Sequence, residues 1–266
     1  MFLKKILTKK KELLLTRDNL DLLGVLIRTN MKLSNHNSFL GIMWSFIGPA
    51  SLLAVMYFVF NARFGAGIAA YPLYLLIGIV CISFFATATS YLAGIFITQK
   101  VFILNTVVPR ENVFIAGLFT HILKFTIEIF ICVAIGLLWH TVNFRFLWLL
   151  LPLYVSFLLF VAGVGLFLTL VCVFSRDVQH IWVLVSRLLF FASPIFFRLD
   201  SIAPPMRKII YFFNPLTPFL ISFRQVLMHP AVDGSIYFHS LALGPCIFLI
   251  SYIVFIFFEH SAMEKA

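Results

Sequence analysis

Lys124 and Glu128 stand four residues apart inside the apolar stretch from Val113 to Trp139, and no other pair in the sequence is better placed for chemistry. Four residues is about one helical turn, so the two side chains share a face and meet. An acid and a base so placed serve either as a proton relay or as a neutralised couple that fixes helix packing. The second use is the commoner one. Other reactive patterns are missing from the sequence. It holds no Gly-rich loop followed by Lys and Ser or Thr, no His-Glu-x-x-His, no Gly-x-Ser-x-Gly elbow and no Asp-x-Asp pair. An enzyme is therefore not expected, and neither is a metal or cofactor held by this chain. Cys81, Cys132, Cys172 and Cys246 lie 51, 40 and 74 residues apart in apolar runs, a spacing that fits packing rather than zinc or redox work.

The elements that carry this pair are set by composition. Of 266 residues, 62% are hydrophobic, only 11% are charged, and 33 are Phe; the mean hydropathy is +1.05. A water-soluble domain of this size needs far more polar surface. The solvent for most of the chain is therefore lipid, and a bilayer core takes about 20 apolar residues per helix. Six runs qualify, at about 39–62, 71–97, 113–139, 146–174, 181–197 and 239–258. The fifth is the shortest and contains Arg187. The expected fold is an all-α integral membrane protein with six transmembrane helices. Residues 1–38 form a basic arm and an interfacial helix, 39–258 the transmembrane domain, and 259–266 a tail.

Lys and Arg in the loops set the orientation. With the N-terminus inside, the inner segments hold twelve of the 20 cations, the outer segments six, and the spans two, Lys124 and Arg187. Both termini are expected on the cytoplasmic side. The first residues are broken up by Lys4, Lys5, Lys9, Lys10, Lys11 and Glu12, which leaves no signal-peptide core. The net charge of +10 is mostly this arm against anionic lipid, not a nucleic-acid surface.

Two segments outside the spans are informative. From Arg17 to Asn35, Arg17, Asp21, Gly24, Arg28, Lys32 and Asn35 fall on one helical face, while Leu20, Leu22, Leu23, Leu26, Ile27 and Leu33 fall on the other. That is an amphipathic helix at the inner membrane surface, serving as an anchor or as a docking lever. From 198 to 238, prolines at 204, 205, 215, 218 and 230 alternate with the apolar runs Ile209–Phe213 and Phe219–Ile221. Such a stretch is too broken to span and too apolar to be a free loop. It is expected to fold as short re-entrant outer helices between spans 5 and 6, with its apolar faces buried.

The run Ser38-Phe39-Leu40-Gly41-Ile42-Met43-Trp44-Ser45-Phe46-Ile47-Gly48-Pro49 resembles the start of the first span in bacterial type-2 ABC exporter permeases, which export lipid-linked polysaccharides such as O-antigen, capsule and teichoic acid. Further likenesses follow in order: Val108-Pro109-Arg110, Phe174-Ser175-Arg176-Asp177-Val178, Ser193-Pro194-Ile195-Phe196-Phe197, Tyr211-Phe212-Phe213-Asn214-Pro215-Leu216 and Phe223-Arg224. The resemblance covers about residues 20 to 258. Where that family usually carries an Arg-Tyr type pair before span 1, this chain has Ser34-Asn35-His36-Asn37.

The resemblance implies a permease homodimer in the bacterial inner membrane, a separate dimeric P-loop ATPase that holds ATP and Mg, and a lipid-linked glycan as cargo. A drug or small-lipid exporter permease is the alternative within transport, and a polysaccharide-assembly enzyme the alternative outside it. On this reading Asp21, Arg28, Lys32, Gln99, Lys100, Asn105 and Arg110 meet the ATPase. Trp44, Tyr57, Tyr91, Phe190, Phe191, Phe196 and Phe197 are candidates for aromatic rungs along a sugar tunnel, or else plain lipid-facing rings. Asp200, Asn214 and Arg224 belong to an exit gate, where Arg224 must find an acid, carbonyls or a phosphate.

Overall fold

The computed structural model describes residues 17–35, 43–68, 70–99, 110–142, 144–229 and 231–265. The expected basic arm up to residue 16, the beginning of span 1 and the turn holding Lys100, Asn105, Val108 and Pro109 lie outside these residues. The described residues are helical, without a strand. In chain order the helices are α1 (Arg17–Asn35), α2 (Met43–Phe64), α3 (Tyr71–Thr98), α4 (Arg110–Leu138), α5 (Leu150–Phe174), α6 (Asp177–Ala192), α7 (Pro204–Phe213), α8 (Leu216–Met228) and α9 (Gly234–Lys265).

Five stretches are long and apolar enough to cross a membrane: Ile47–Phe64, Tyr71–Thr98, Arg110–Leu138, Phe144–Phe174 and Gly234–Phe258. They match five of the six expected runs. The remaining run differs. Its helix, α6, begins a turn early at Asp177 and stops at Ala192 after 16 residues, a length of roughly 24 Å against a core of roughly 30 Å. The cause is local. Ser193 precedes Pro194 and is held extended at φ −89° and ψ 148°, as the proline ring requires of the residue before it. Residues 193 to 197 then run without helix.

At the centre stands α3, buried along most of its length and packed against α2, α4, α5, α6 and α8. Here the phenylalanines find their use. Phe84 stacks on Phe125 at 4.2 Å between ring centres, Phe85 on Phe160 at 5.6 Å, and Phe157 meets Phe219 and Phe223 at 5.1 and 5.6 Å. Rings gain from offset or edge contacts beyond their buried area, so they order helices that lipid would otherwise solvate equally well.

The most extensive pairing joins α5 and α9, and it depends on small residues. A Cβ on Gly163 would stand 2.8 Å from the Cα of Phe248, and one on Gly244 would collide with the backbone of Ser156. Close backbone approach of this kind is how membrane helices gain contact without a hydrophobic drive. Pro245 follows within α9; lacking an N–H, it leaves the carbonyl of Leu241 without its helical partner. The Ser156 hydroxyl lies 2.8 Å from the carbonyl of Ser240 and 3.1 Å from that of Leu241, and donates to this pair.

Substituting Gly244→Ala should therefore destabilise the fold by about 1–3 kcal/mol through overpacking. Gly24→Ala on α1, with nothing within 4 Å of its new Cβ, should be neutral or slightly stabilising. Thermal melting of the detergent-purified protein reads both, and equal melting of the two variants would refute the close packing.

Candidate functional site

The pair found by spacing sits on the wall of a groove. On α4, His121, Lys124 and Glu128 follow at intervals of three and four and face one cavity of about 390 Å³, with Gly48, Pro49 and Leu52 of α2 and Ser83, Phe84 and Thr87 of α3 across from them. Glu128 is buried and Lys124 half-buried, and the two feel each other electrostatically. Neighbouring this space is a second cavity of about 470 Å³ that shares Leu52, Ser83 and Thr87 and continues past Ser90 to Ser186, Arg187, Phe190 and Phe191 of α6. The joined groove thus carries the hydroxyls of Ser83, Thr87, Ser90 and Ser186, the rings of Phe84, Phe125, Phe190 and Phe191, and the cations Lys124 and Arg187. The Ser186 hydroxyl is buried yet bonds to nothing among the described residues, so it is a donor and acceptor open to a partner in the groove.

Of the aromatic candidates, Phe190 and Phe191 line this groove and meet edge to face at 5.3 Å. Tyr91 stands apart on α3 beside His121, ring centres 5.0 Å apart, and bonds to Gln99. Tyr57 is partly exposed on α2 near Tyr71. Phe196 is buried against Phe60 at 4.7 Å, and Phe197 leans on Phe64 at 6.4 Å. The side chain of Trp44 lies outside the described residues.

At the hairpin end, Arg224 is only 3% exposed. Its guanidinium donates to the carbonyls of Tyr74 at 3.2 Å, Pro194 at 2.6 Å and Ile195 at 3.0 Å, and its plane lies 3.5 Å over the Tyr74 ring. Of the three partners open to it, it takes carbonyls. Gly78 makes the room, since a Cβ there would press on Nη2. Two tyrosines finish the work: Tyr71 donates to the carbonyl of Phe196 at 2.9 Å and Tyr74 to that of Phe197 at 2.8 Å. Asn214 is likewise buried, donating to the Ser193 hydroxyl at 2.7 Å and accepting from the backbone of Leu216 at 3.0 Å. Asp200 is exposed and shared by Arg207 at 3.3 Å and Arg198 at 3.9 Å. Asp200 and Arg224 face a common cavity, and Asn214 does not line it. One expectation fails here: Phe219 and Leu220 are buried, whereas Ile209, Phe212 and Phe213 are exposed. The reason is geometric, since α8 packs on α3, α5 and α9 while α7 touches mainly α8.

At the far end of α3 and α4 the two expected levers meet. Helix α1 packs along α4, and the amide of Asn112, 2% exposed, donates to the carbonyl of Asn19 at 3.4 Å. Asp21, Arg28 and Lys32 remain exposed on α1, with Gln99 and Arg110 half-buried where α3 ends and α4 begins. Lys100 and Asn105 lie outside the described residues. Asn112 is not among the residues expected from the sequence to meet the ATPase, since a single polar residue ahead of an apolar run has no period to mark it.

Apolar helices long enough to span, with a charged groove between them, describe a multi-pass membrane protein. The chain belongs to the ABC-2 type transporter family, which matches residues 21–228. It is 27% identical over 218 residues to an O-antigen export system permease protein of Klebsiella pneumoniae, covering 80% of this chain and 82% of that one. A second Klebsiella pneumoniae permease of the same description is 25% identical over 80% of this chain and 82% of its own. One from Myxococcus xanthus is 23% identical over 77% and 79%.

Arg224→Met should remove three charge-assisted bonds, each about 1.5–3 kcal/mol, strand their carbonyls and sharply lower the amount of folded protein. Arg224→Lys keeps the charge but not the fork, and should recover only part. Full stability of the Met variant in a melting assay would show that the carbonyls find other donors.

Proposed function

We propose that this chain is the membrane half of an ATP-driven exporter that carries a lipid-linked glycan of the O-antigen or capsule class across the bacterial inner membrane. The groove carries the reading. Hydroxyls of Ser83, Thr87, Ser90 and Ser186 beside the rings of Phe190 and Phe191 suit a sugar chain, whose C–H faces stack on aromatics while its hydroxyls exchange partners. The relatives' description as O-antigen export permeases supports the same cargo.

Energy must come from a separate P-loop ATPase, because the chain has no phosphate loop of its own. Exposed Asp21, Arg28 and Lys32 on α1 are the proposed contact, with Gln99, Arg110 and the intervening Lys100 and Asn105. Through Asn112 and Asn19, a push on α1 would reach α4 and its groove wall. A second copy of the chain would close the groove into a tunnel along α2 and α6, whose apolar Phe58, Val59, Leu184 and Leu188 are exposed.

Six crossings with both termini cytoplasmic remain the proposed topology. α6 supplies roughly 24 Å and five non-helical residues add up to roughly 16 Å more, enough together to cross. α7 and α8, of 10 and 13 residues, are each too short to span and would enter and return as a gate near Asp200, Asn214 and Arg224.

The test is genetic and biochemical. Deleting the gene should abolish surface glycan while the lipid-linked precursor accumulates inside. Arg28→Glu with Lys32→Glu should end co-purification of the ATPase and leave the permease inserted. Loss of insertion would make α1 an anchor only, and unchanged surface glycan with loss of a small lipid or drug flux would reassign the cargo.

The charged pair is assigned a packing role within this permease. Lys124→Ala should lower protein level, stranding buried Glu128 at a cost of up to about 3–5 kcal/mol, and Glu128→Ala, which leaves only half-buried Lys124, should lower it less. The double apolar variant should restore level and export together. Restored level without export would instead make the pair a proton relay.

A further inference from the structure

A cavity of about 600 Å³ lies at the hairpin end. Its floor is Tyr74 and Arg224, and its walls come from the segment at Arg198 to Asp200, from α7 and from the start of α9. Four permanent cations face it, Arg198, Arg207, Lys208 and Arg224, against two carboxylates, Asp200 and Asp233. The difference is two positive charges. His229 adds none at neutral pH, because burial and the nearby Arg198 and Arg224 hold its pKa below the usual value.

Two of those cations are incompletely answered by the chain. All three hydrogen bonds of buried Arg224 end on neutral carbonyls, so its dipolar partners solvate the charge without cancelling it. Arg207 holds Asp200 through its Nη atoms, at 3.3 Å to the carboxylate and 2.8 Å to the carbonyl, yet its Nε is buried with no acceptor among the described residues. A buried N–H left without a partner is rare in a finished structure and points to a group not supplied by the chain. Here that group must be an acceptor, and the surplus charge makes it an anion.

Position narrows its chemistry. On α7, Met206, Ile209 and Phe213 form an exposed apolar stripe, while Arg207, Lys208, Tyr211 and Phe212 of the same helix line the cavity. A short helix with that division lies along a bilayer surface with its apolar side in the acyl chains. The cavity behind it then opens at headgroup depth, where phosphate is the abundant oxyanion and arginine its preferred partner.

We infer that this cavity binds a phosphate group, accepted from Arg207 Nε and the Lys208 ammonium above the buried charge of Arg224. The inference goes beyond the glycan reading and stands without it, since it needs only the hairpin and a bilayer. The phosphate has two possible carriers, a lipid or a soluble phosphate, and the same chemistry serves both.

The test uses the purified full-length protein in a phosphate-free maltoside detergent, titrated separately with phosphatidylglycerol, inorganic phosphate and an uncharged glycosyl diacylglycerol, with thermal melting as the readout. Phosphatidylglycerol, inorganic phosphate or both should raise the melting temperature, and the glycosyl lipid should not. A response to the lipid alone assigns a lipid-borne phosphate, and a response to inorganic phosphate a soluble one. Arg207→Gln with Lys208→Gln should weaken the response at least about tenfold with little change in the unliganded melt, since the Arg207–Asp200 pair is exposed. Asp200→Asn should strengthen it severalfold by raising the surplus from two charges to three. No response to either phosphate, an equal response to the glycosyl lipid, or undiminished response in the double variant together with no gain in Asp200→Asn would overturn the inference. Because the readout is binding, it is independent of whether the cargo is a glycan.

Discussion

A buried backbone carbonyl must find a donor, because no water reaches it to supply one, and the break after α6 creates several at once. Between Ser193 and Phe197 the chain leaves the helix, and each carbonyl along it is then answered individually. The Ile195 N–H donates to Ser193 at 2.7 Å. Arg224 answers Pro194 and Ile195, Tyr71 answers Phe196, and Tyr74 answers Phe197. Donors from the start of α3 and from α8 thus converge on one non-helical segment. The permease can afford a broken helix at this point because two separate helices are bound to repair it.

That repair organises the rest. Tyr71 and Tyr74 place the first turns of α3 against the break, which sets α3 as the buried axis around which the phenylalanine core assembles. Arg224 fixes α8 to the same place, so Phe219 and Phe223 reach Phe157 of α5. The same rule reappears at α9, where Pro245 frees a carbonyl and the Ser156 hydroxyl is at hand to meet it. In both places a proline opens the backbone, and a polar side chain from a neighbouring helix closes it. Proline in this fold therefore forms tertiary contacts as well as interrupting helices.

Hydrophobic length alone located five of the helices, and the polar-apolar alternation located α1, because both are properties of consecutive residues. The proline rhythm likewise marked the broken hairpin. What the sequence could not show was which donors meet which carbonyls. Arg224 and Pro194 are 30 residues apart, and Arg224 and Tyr74 are 150 apart. The ending of α6 had a local cue in Ser193-Pro194, but the apolar run through Phe197 concealed it. Asn112 and the groove were hidden for the opposite reason: a single polar residue or a scattered set of hydroxyls has no period, and only packing brings Ser83, Thr87 and Ser186 to one surface. Lys124 and Glu128 were visible because a helix makes neighbours of residues four apart.

Two kinds of buried charge therefore coexist in one bilayer-sized fold, and their surroundings separate their duties. Arg224 is held at the floor of its cavity by three carbonyls and a tyrosine face, with three of its donors fixed by backbone that cannot rotate away. Moving it would uncover every group it covers, so it belongs to the frame. Lys124 and Glu128 face a cavity of about 390 Å³ and carry their charges on flexible side chains. Any helix motion that widens or narrows that cavity changes how much water they meet, and hence how strongly they hold each other. Helix α1 packs on the same helix α4, so the adjustable pair and the α1 contact are carried by one element, while the fixed arginine is bonded to the first turn of α3.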